Sequence, residues 1–473
     1  MAELLATRDA AVAGDMVELR LDGVAGLDVA RALAGRRTPA VVTCRAAWEG
    51  GHFDGAEEER RAILASALDL GAEFVDVEWR AVEGPATGVP FGDLVRRTPE
   101  RVVVSSHDFQ GVPADLEARA AAMRATGAGT IKIAVSIGRL GQMRCLKAIA
   151  RDGSAVVIGM GRLGVPSRLL AARFGSRWTY AGNSVAPGQM PARQMIDDYG
   201  FRRLRESTRI FGVVSTNALH SLSPVMHNAA FQAGGIDAVY VPLPAEDFAD
   251  FLSFADDIGI EGLSVTIPFK RDALRAAAKA SALTQQVGAA NTLRRRSGSW
   301  EATNTDVEGF LQPLASAWTG SLEGVRASVL GAGGAARAVV VALASQGARV
   351  TIHARREEQA RELATDFDVH VGSYPPGPAS WDLLVNCTPL GSATRRAESP
   401  MPAGRLTGKL VYDLTYGPGE SALVRDARAA GVASLDGLSM LVAQAGRQFE
   451  WWTGERPEPG VMEAAARRRI TTT

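Results

Sequence analysis

From the N-terminus to about Met190 the chain alternates short β-rich runs with Ala/Leu/Arg-rich helical stretches, and this alternation constrains its fold more than any other feature. The β runs are Met16–Leu21, Ala40–Cys44, Phe74–Val77, Val102–Ser106, Thr130–Val135, Ala155–Gly159 and Trp178–Ala181. Strand–helix alternation predicts a parallel sheet. Repeats of about 25–30 residues without a dinucleotide fingerprint point to a (β/α) barrel, which needs eight strands where seven are legible. Ahead of Met16, Ala2–Gly14 reads as a helix, so the first strand of an eight-stranded barrel is missing from its expected place.

The rest of the chain reads as two further α/β units. Pro191–Thr208 is charged and weakly patterned, a helical linker, and Ile210–Val214 opens the second unit. Leu311–Gly324 reads as a connecting helix, and Ala327–Leu330 begins a third unit with a Gly-rich turn. Tyr374-Pro-Pro-Gly-Pro378 is a loop by its own chemistry. Gly437–Trp452 reads as a helix that packs back on an earlier domain. The expected division is therefore residues 1–195, then 208–312 with 438–460, then 320–437. A chain of 473 residues has room for about three such domains.

Composition removes several classes of function. Hydrophobic residues make up 46% and charged residues 22%, so real cores form without a metal or disulfide staple. Lys+Arg and Asp+Glu both number 52, and zero net charge argues against a general nucleic-acid binder or a protein held on anionic membranes. No apolar run approaches about 18 residues, and Met1–Asp15 has no signal-peptide pattern. Cys44, Cys145 and Cys387 are far apart, which fits a reducing cytoplasm and excludes a cysteine zinc site or a disulfide scaffold. No metal site is expected. The arginine runs 294–296 and 467–469 read as solvated faces.

In a barrel, residues at the C-terminal strand ends point into the active site. Polar residues cluster there: Glu18 and Arg20, Thr43 and Arg45 with Glu49 nearby, Asp76 and Glu78, His107 and Asp108, Lys132, and Arg168 after Met160. A lysine within Thr-Ile-Lys-Ile-Ala must face a polar interior or be desolvated. Desolvation would lower its pKa and make the amine nucleophilic toward carbonyls; a structural Lys–Glu pair is the alternative from position alone.

The ordered motifs Glu18-Leu-Arg20-Leu-Asp22, Thr43-Cys-Arg45 with Glu49-Gly-Gly51, Ser106-His107-Asp108-Phe109, Ile131-Lys132-Ile133, Ser167-Arg168 and Ala186-Pro-Gly-Gln189 resemble type I 3-dehydroquinate dehydratase over about residues 1–190. The resemblance implies a (β/α)8 barrel that dehydrates 3-dehydroquinate through an imine. Lys132 would form the Schiff base. His107 would take the proton at the adjacent carbon and deliver one to the leaving hydroxyl, a double role suited to a group titrating near neutrality. Glu49 would orient His107. Arg45 and Arg168 would clamp the substrate carboxylate, and Glu18, Arg20 and Gln189 would bind hydroxyls or the carboxylate. Two departures stand out: the absent first strand, and Val185 where the family often has serine, with Ser184 one residue away.

In the second half, Gly331-Ala332-Gly333-Gly334-Ala335-Ala336 follows a short β run and opens a helix, the context a dinucleotide-binding turn needs. The next strand ends in His353-Ala-Arg355-Arg356. Two arginines in place of an acidic residue suit a 2′-phosphate, so NADP is favoured over NAD. Around this turn stand Ser221-Leu-Ser223-Pro, His227-Asn228, Ser264-Val-Thr266-Ile-Pro-Phe-Lys270, Gly288-Ala-Ala-Asn291-Thr292, Asn304-Thr-Asp306, Asn386-Cys-Thr-Pro389, Asp413-Leu-Thr-Tyr416 and Asp436-Gly437 through Gln444. This ordered set resembles shikimate dehydrogenase across about residues 208–455.

That resemblance implies that Ser221, Ser223, Thr266, Asn291, Asp306 and Gln444 hold the hydroxyls and carboxylate of shikimate, and that Lys270 and Asp306 are the catalytic pair. Leu414, Tyr416 and Gly437 would line the nicotinamide pocket. Together the halves imply a bifunctional enzyme: one produces 3-dehydroshikimate, the other reduces it to shikimate with NADPH. The alternatives are an NADP-dependent shikimate dehydrogenase carrying an inactive, truncated barrel, and a non-catalytic metabolite sensor. Oligomeric state is left open by the sequence.

Overall fold

The strands of the first half bury one face completely, because one set of their alternate residues is apolar while the other set mixes polar with apolar side chains. Leu19, Val42, Val75, Val77, Val104, Ile131, Ile133 and Val157 are all buried. They share a side in the period-two alternation of a strand. The computed structural model describes residues 1–84, 88–182 and 188–472. The expected alternation appears as β1 (Val17–Arg20), β2 (Ala40–Thr43), β3 (Phe74–Glu78), β4 (Val102–Asp108), β5 (Thr130–Ser136) and β6 (Ala155–Met160). All neighbours are parallel and lie in sequence order. Helix Ala2–Ala10 precedes β1, as expected.

The seventh expected strand, Trp178–Ala181, does not form. Its backbone is engaged by side chains instead of a ladder. Ser176 Oγ accepts from Val157 N–H (3.1 Å) and donates to Trp178 O (2.8 Å), and Arg168 Nη1 donates to Tyr180 O (3.1 Å). The sheet is therefore an incomplete barrel of six strands among the described residues. The segment still caps the interior face: Trp178 and Tyr180 pack on Ala134, Val156, Ile158 and Met160. Ser184, Val185 and Ala186 lie outside the described residues.

The chain divides into two units, Met1–Thr208 with Ala249–Ile258, and Arg209–Phe248 with Gly259–Thr473. The linker holds a helix, Ala192–Tyr199, as expected. The second unit contains two sheets. One is β7 (Arg209–Ser215), β8 (Ala238–Pro244), β9 (Ile260–Val265), β10 (Lys279–Ala280), β11 (Thr292–Arg296) and β12 (Ser299–Thr303), in the order β10-β12-β11-β9-β7-β8. The other is β13 (Arg326–Leu330), β14 (Arg349–His353), β15 (His370–Val371), β16 (Leu383–Asn386), β17 (Leu410–Asp413) and β18 (Ala433–Leu435). It is all parallel, in the order β15-β14-β13-β16-β17-β18. This is a doubly wound arrangement, with the Gly-rich turn at the C-terminal end of β13.

Helix Asp306–Ala317 connects the two sheets, starting earlier than the expected Leu311 because Asn304 Oδ1 accepts from Asp306 N–H (3.0 Å). Helix Gly437–Thr453 returns to the first of these sheets, as expected: Trp452 Nε1 donates to Leu293 O (2.9 Å) on β11. Arg294 is not simply a solvated residue, for it stacks 4.3 Å from the Trp451 ring and pairs with Glu301.

Candidate active sites in the two units

One cavity in the first unit is lined by Glu18, Arg20, Arg45, Glu49, His107, Lys132, Arg168 and Gln189, eight residues from widely separated motifs. Sheet register explains how they meet. Arg20 pairs with Thr43, Thr43 with Asp76, Ser105 with Lys132. Side chains on parallel neighbours in register share a face, so Glu18, Arg20, Asp76, Glu78, Ser105, His107 and Lys132 all point inward. Glu49 arrives differently, on the short turn Ala47–Glu49. Gly50 follows at φ 77°, a left-handed conformation that glycine adopts without steric cost.

The cavity floor is a charge lattice. Lys132 Nζ donates to Asp76 Oδ2 (3.1 Å) and lies 3.8 Å from Glu18 and 4.3 Å from the Tyr180 ring centre. Arg45 donates to Asp76 Oδ1 and Ser105 Oγ, both at 2.7 Å. Burial works to lower the Lys132 pKa, but Asp76, Tyr180 and Glu18 outweigh it and the net shift is upward. This corrects the expectation that desolvation leaves a free amine: the resting lysine is a held ammonium. For Asp76 burial pulls upward, but Arg45 and Lys132 win, holding it well below the usual carboxylate range.

His107 presents the opposite case. Burial, then Arg45 and Lys132, keep it well below its ordinary value, so the imidazole is neutral. Its Nδ1 lies 3.0 Å from Glu49 Oε1, which also accepts its backbone N–H (3.0 Å). Burial pushes the Glu49 carboxyl up to about 8 against the pull of Arg45. Burial alone lowers the Arg168 guanidinium to about 10.

In the second unit Lys270 Nζ donates to Asp306 Oδ2 at 2.6 Å. Asn291 Nδ2 donates to Asp306 Oδ1 (2.8 Å) and lies 3.4 Å from Gln444 Oε1. Lys270, Asp306, Asn291 and Gln444 thus form one hydrogen-bonded group. Ser221 and Ser223 form another, with Ser221 Oγ accepting from Ser223 N–H (3.1 Å), and Thr266 stands just past the end of β9.

The Gly-rich turn fits a dinucleotide. Gly331 has φ 103°, and Gly333 heads helix Gly334–Ser345 with nothing within 4 Å of where a Cβ would stand. A Cβ on Gly334 would stand 3.1 Å from Lys270 Cδ, so the turn adjoins the Lys270–Asp306 pair. Ala332 and Ala335 flank these glycines, half-buried, and Arg355 and Arg356 are exposed just beyond β14, the strand beside β13. Gly437 N–H donates to Thr415 O (3.2 Å), and a Cβ there would collide with Leu414 O, so Gly437 lies against the Leu414–Thr415 backbone, with Tyr416 the next residue along the chain.

Asp76 was placed at the site by the sequence but given no role, and Ser105, signalled by strand alternation alone, was left out. Tyr180 and, in the second unit, Gln448 carry no signal. Gln448 Nε2 donates to Thr292 Oγ1 (2.9 Å) behind Asn291.

The two halves match different families of known proteins. Residues 2–205 match the type I 3-dehydroquinase family. Residues 213–293 match the shikimate dehydrogenase substrate binding domain, 313–376 the shikimate/quinate 5-dehydrogenase family, and 437–467 the shikimate 5′-dehydrogenase C-terminal domain. The chain is 32% identical over 477 residues to a chloroplastic bifunctional 3-dehydroquinate dehydratase/shikimate dehydrogenase of Arabidopsis thaliana, covering 93% of this chain and 78% of that one. It is 40% identical over 269 residues to a shikimate dehydrogenase (NADP(+)) of Methanocella arvoryzae, covering 54% and 98%. A crystal structure of Thermus thermophilus shikimate 5-dehydrogenase in complex with NADP(H) and shikimate aligns with TM-score 0.50 and 34% identity, over 55% of this chain and 99% of that one.

Proposed function

The chain belongs to the family of bifunctional 3-dehydroquinate dehydratase/shikimate dehydrogenases, and on that premise we propose how each half does its work. The first half dehydrates 3-dehydroquinate to 3-dehydroshikimate; the second reduces 3-dehydroshikimate to shikimate with NADPH. The match to the plant relative spans both halves and favours two activities over a dehydrogenase carrying an inactive barrel. We assign the dehydratase to a barrel domain, residues 1–195, the shikimate site to 208–312 with 438–460, and the cofactor to 320–437. Cytoplasmic residence belongs to the same proposal, supported by three free cysteines.

One observation carries the dehydratase assignment: Lys132, His107 and Glu49 line one cavity together with Glu18, Arg20, Arg45, Arg168 and Gln189. Lys132 must first shed a proton, since Asp76 holds it as the ammonium. Its amine then attacks the substrate ketone, and loss of water leaves a protonated imine. That cation drains electrons from the neighbouring carbon, whose proton passes to the neutral His107 imidazole. The resulting imidazolium protonates the β-hydroxyl, which departs as water. Hydrolysis of the imine returns Lys132 and the enone product. Glu49 fixes the His107 ring. Arg45 and Arg168 would clamp the substrate carboxylate, with Glu18, Arg20 and Gln189 binding hydroxyls or the carboxylate.

In the second half Gly331 to Ala335 would cradle the pyrophosphate at a helix N-terminus, Arg355 and Arg356 the 2′-phosphate, and Leu414, Tyr416 and Gly437 the nicotinamide. NADPH, when bound, supplies a hydride. Lys270 polarises the substrate carbonyl and gives the new alcohol its proton, while Asp306 holds Lys270 and a substrate hydroxyl. Asn291, Gln444, Ser221, Ser223 and Thr266 bind the remaining polar groups. Borohydride trapping tests the carrying observation. With 3-dehydroquinate the wild type gains a stable adduct at Lys132 and Lys132→Ala gains none; an adduct on the variant would refute the assignment.

A further inference from the structure

Arg60, on helix Glu57–Asp69, is fully buried and does not line the first cavity. Its guanidinium sits 4.5 Å from the Phe91 ring centre and 5.9 Å from that of Trp48. Nε donates to Glu57 Oε2 (2.8 Å); Nη1 donates to Glu78 Oε2 and to Cys44 O (3.2 Å). Glu78 spends its other oxygen on the next segment, where Oε1 accepts Ala46 N–H (3.2 Å) and lies 3.1 Å from Arg45 Nη1. The carbonyl before Arg45 and the N–H after it are therefore both held by one buried ion pair. From Arg45 the contacts continue to Asp76 and from Asp76 to Lys132. Positive and negative charges alternate along five side chains.

We propose that Arg60 is a positioning residue for the dehydratase: with Glu78 it fixes the Cys44–Ala46 backbone, and thereby the Arg45–Asp76 pair that faces Lys132. The inference rests on the dehydratase reading above. Its physical basis is the asymmetry of buried pairs, in which removing one partner leaves an uncompensated charge that must find another. For Glu78 the remaining cation is Arg45, already 3.1 Å away, and its closer approach to Glu78 would withdraw its hydrogen bond from Asp76.

The test uses the full chain and two readouts, dehydratase kinetics and the fraction of chains labelled by borohydride with saturating 3-dehydroquinate. Arg60→Met keeps apolar bulk between the rings. It should lower dehydratase kcat/KM by about 10–100-fold, the order expected of a misplaced catalytic group, while labelling stays complete and shikimate oxidation stays within about twofold. Arg60→Lys should recover part of the loss, since an ammonium neutralises Glu78 but cannot span Glu57, Glu78 and Cys44 O together. Adding Arg60→Met to Glu78→Gln should cost little beyond Glu78→Gln alone, because both act through one group. Unchanged kcat/KM in Arg60→Met, an activity loss matched by an equal loss of labelled chains, or losses that multiply would each overturn the proposal. Failure of the wild type to label at all would instead overturn the dehydratase reading, and the proposal with it.

Discussion

Lys132 rests as an ammonium against Asp76, and Glu49 rests as a carboxyl that keeps its proton to about pH 8. Both conditions have measurable consequences. Glu49 binds its proton more tightly folded than unfolded. As pH rises from about 4.5, where the unfolded carboxyl ionises, to about 8, where the folded one does, this group lowers stability by at most about 1.4 kcal/mol per pH unit. Glu49→Gln removes the titration. Chemical denaturation across that window should therefore show the variant gaining on the wild type as pH rises; parallel curves would show that Glu49 titrates normally. Lys132→Arg should be as inactive in dehydration as Lys132→Ala, because a guanidinium cannot lose its proton to attack the ketone. Dehydration by either variant would place the imine elsewhere. At the cofactor turn, Arg355→Ala with Arg356→Ala should weaken NADPH far more than NADH, by roughly 1.5–3 kcal/mol per lost phosphate contact. Equal losses in titrations with the two cofactors would show that these arginines do not discriminate.

At the scale of elements, the Gly-rich turn separates a glycine needed by the ligand from one needed by the fold. Gly333 has an extended φ of −90° and open space at its Cβ position. Gly333→Ala should leave the unfolding temperature unchanged while weakening NADPH binding, because the added methyl occupies the approach of the pyrophosphate. Gly437→Ala collides with Leu414 O and should lower the unfolding temperature as well. Calorimetry and cofactor titration on both variants check the contrast, and a destabilised Gly333→Ala would contradict it.

Strand positions and their chemistry were legible because the period-two pattern is local. Six of the seven expected strands formed, and every residue given a catalytic or binding role in the first half lines one cavity. What local pattern could not show is register. The register of β3, β4 and β5 aligns Glu78 with Ser105 and Ser105 with Lys132, and Asp76, two residues before Glu78 on the same face, is the carboxylate that Lys132 reaches, a fact distributed over three separated segments. Trp178–Ala181 has the composition of a strand, yet Ser176 and Arg168 satisfy its backbone first, so its aromatic rings cap the sheet rather than extend it. Gln448 was missed for a similar reason. It reaches the second site only through the return of a helix from the far end of the chain.

At the scale of the molecule, the residues of the two candidate sites come from different units. The activities should therefore be separable by single substitutions. Lys270→Met should lower 3-dehydroshikimate reduction by about 10²–10⁴-fold, as removal of an acid–base group does, with dehydration unaffected in a direct assay of enone absorbance. Loss of both would show that the sites depend on each other.

The bifunctional reading is tested most directly by giving the purified protein 3-dehydroquinate and NADPH alone, and following NADPH oxidation together with the shikimate formed. The wild type should oxidise one NADPH for each shikimate released, and Lys132→Ala should do so only when 3-dehydroshikimate replaces 3-dehydroquinate. A wild type that oxidises NADPH with 3-dehydroshikimate but not with 3-dehydroquinate would contradict it.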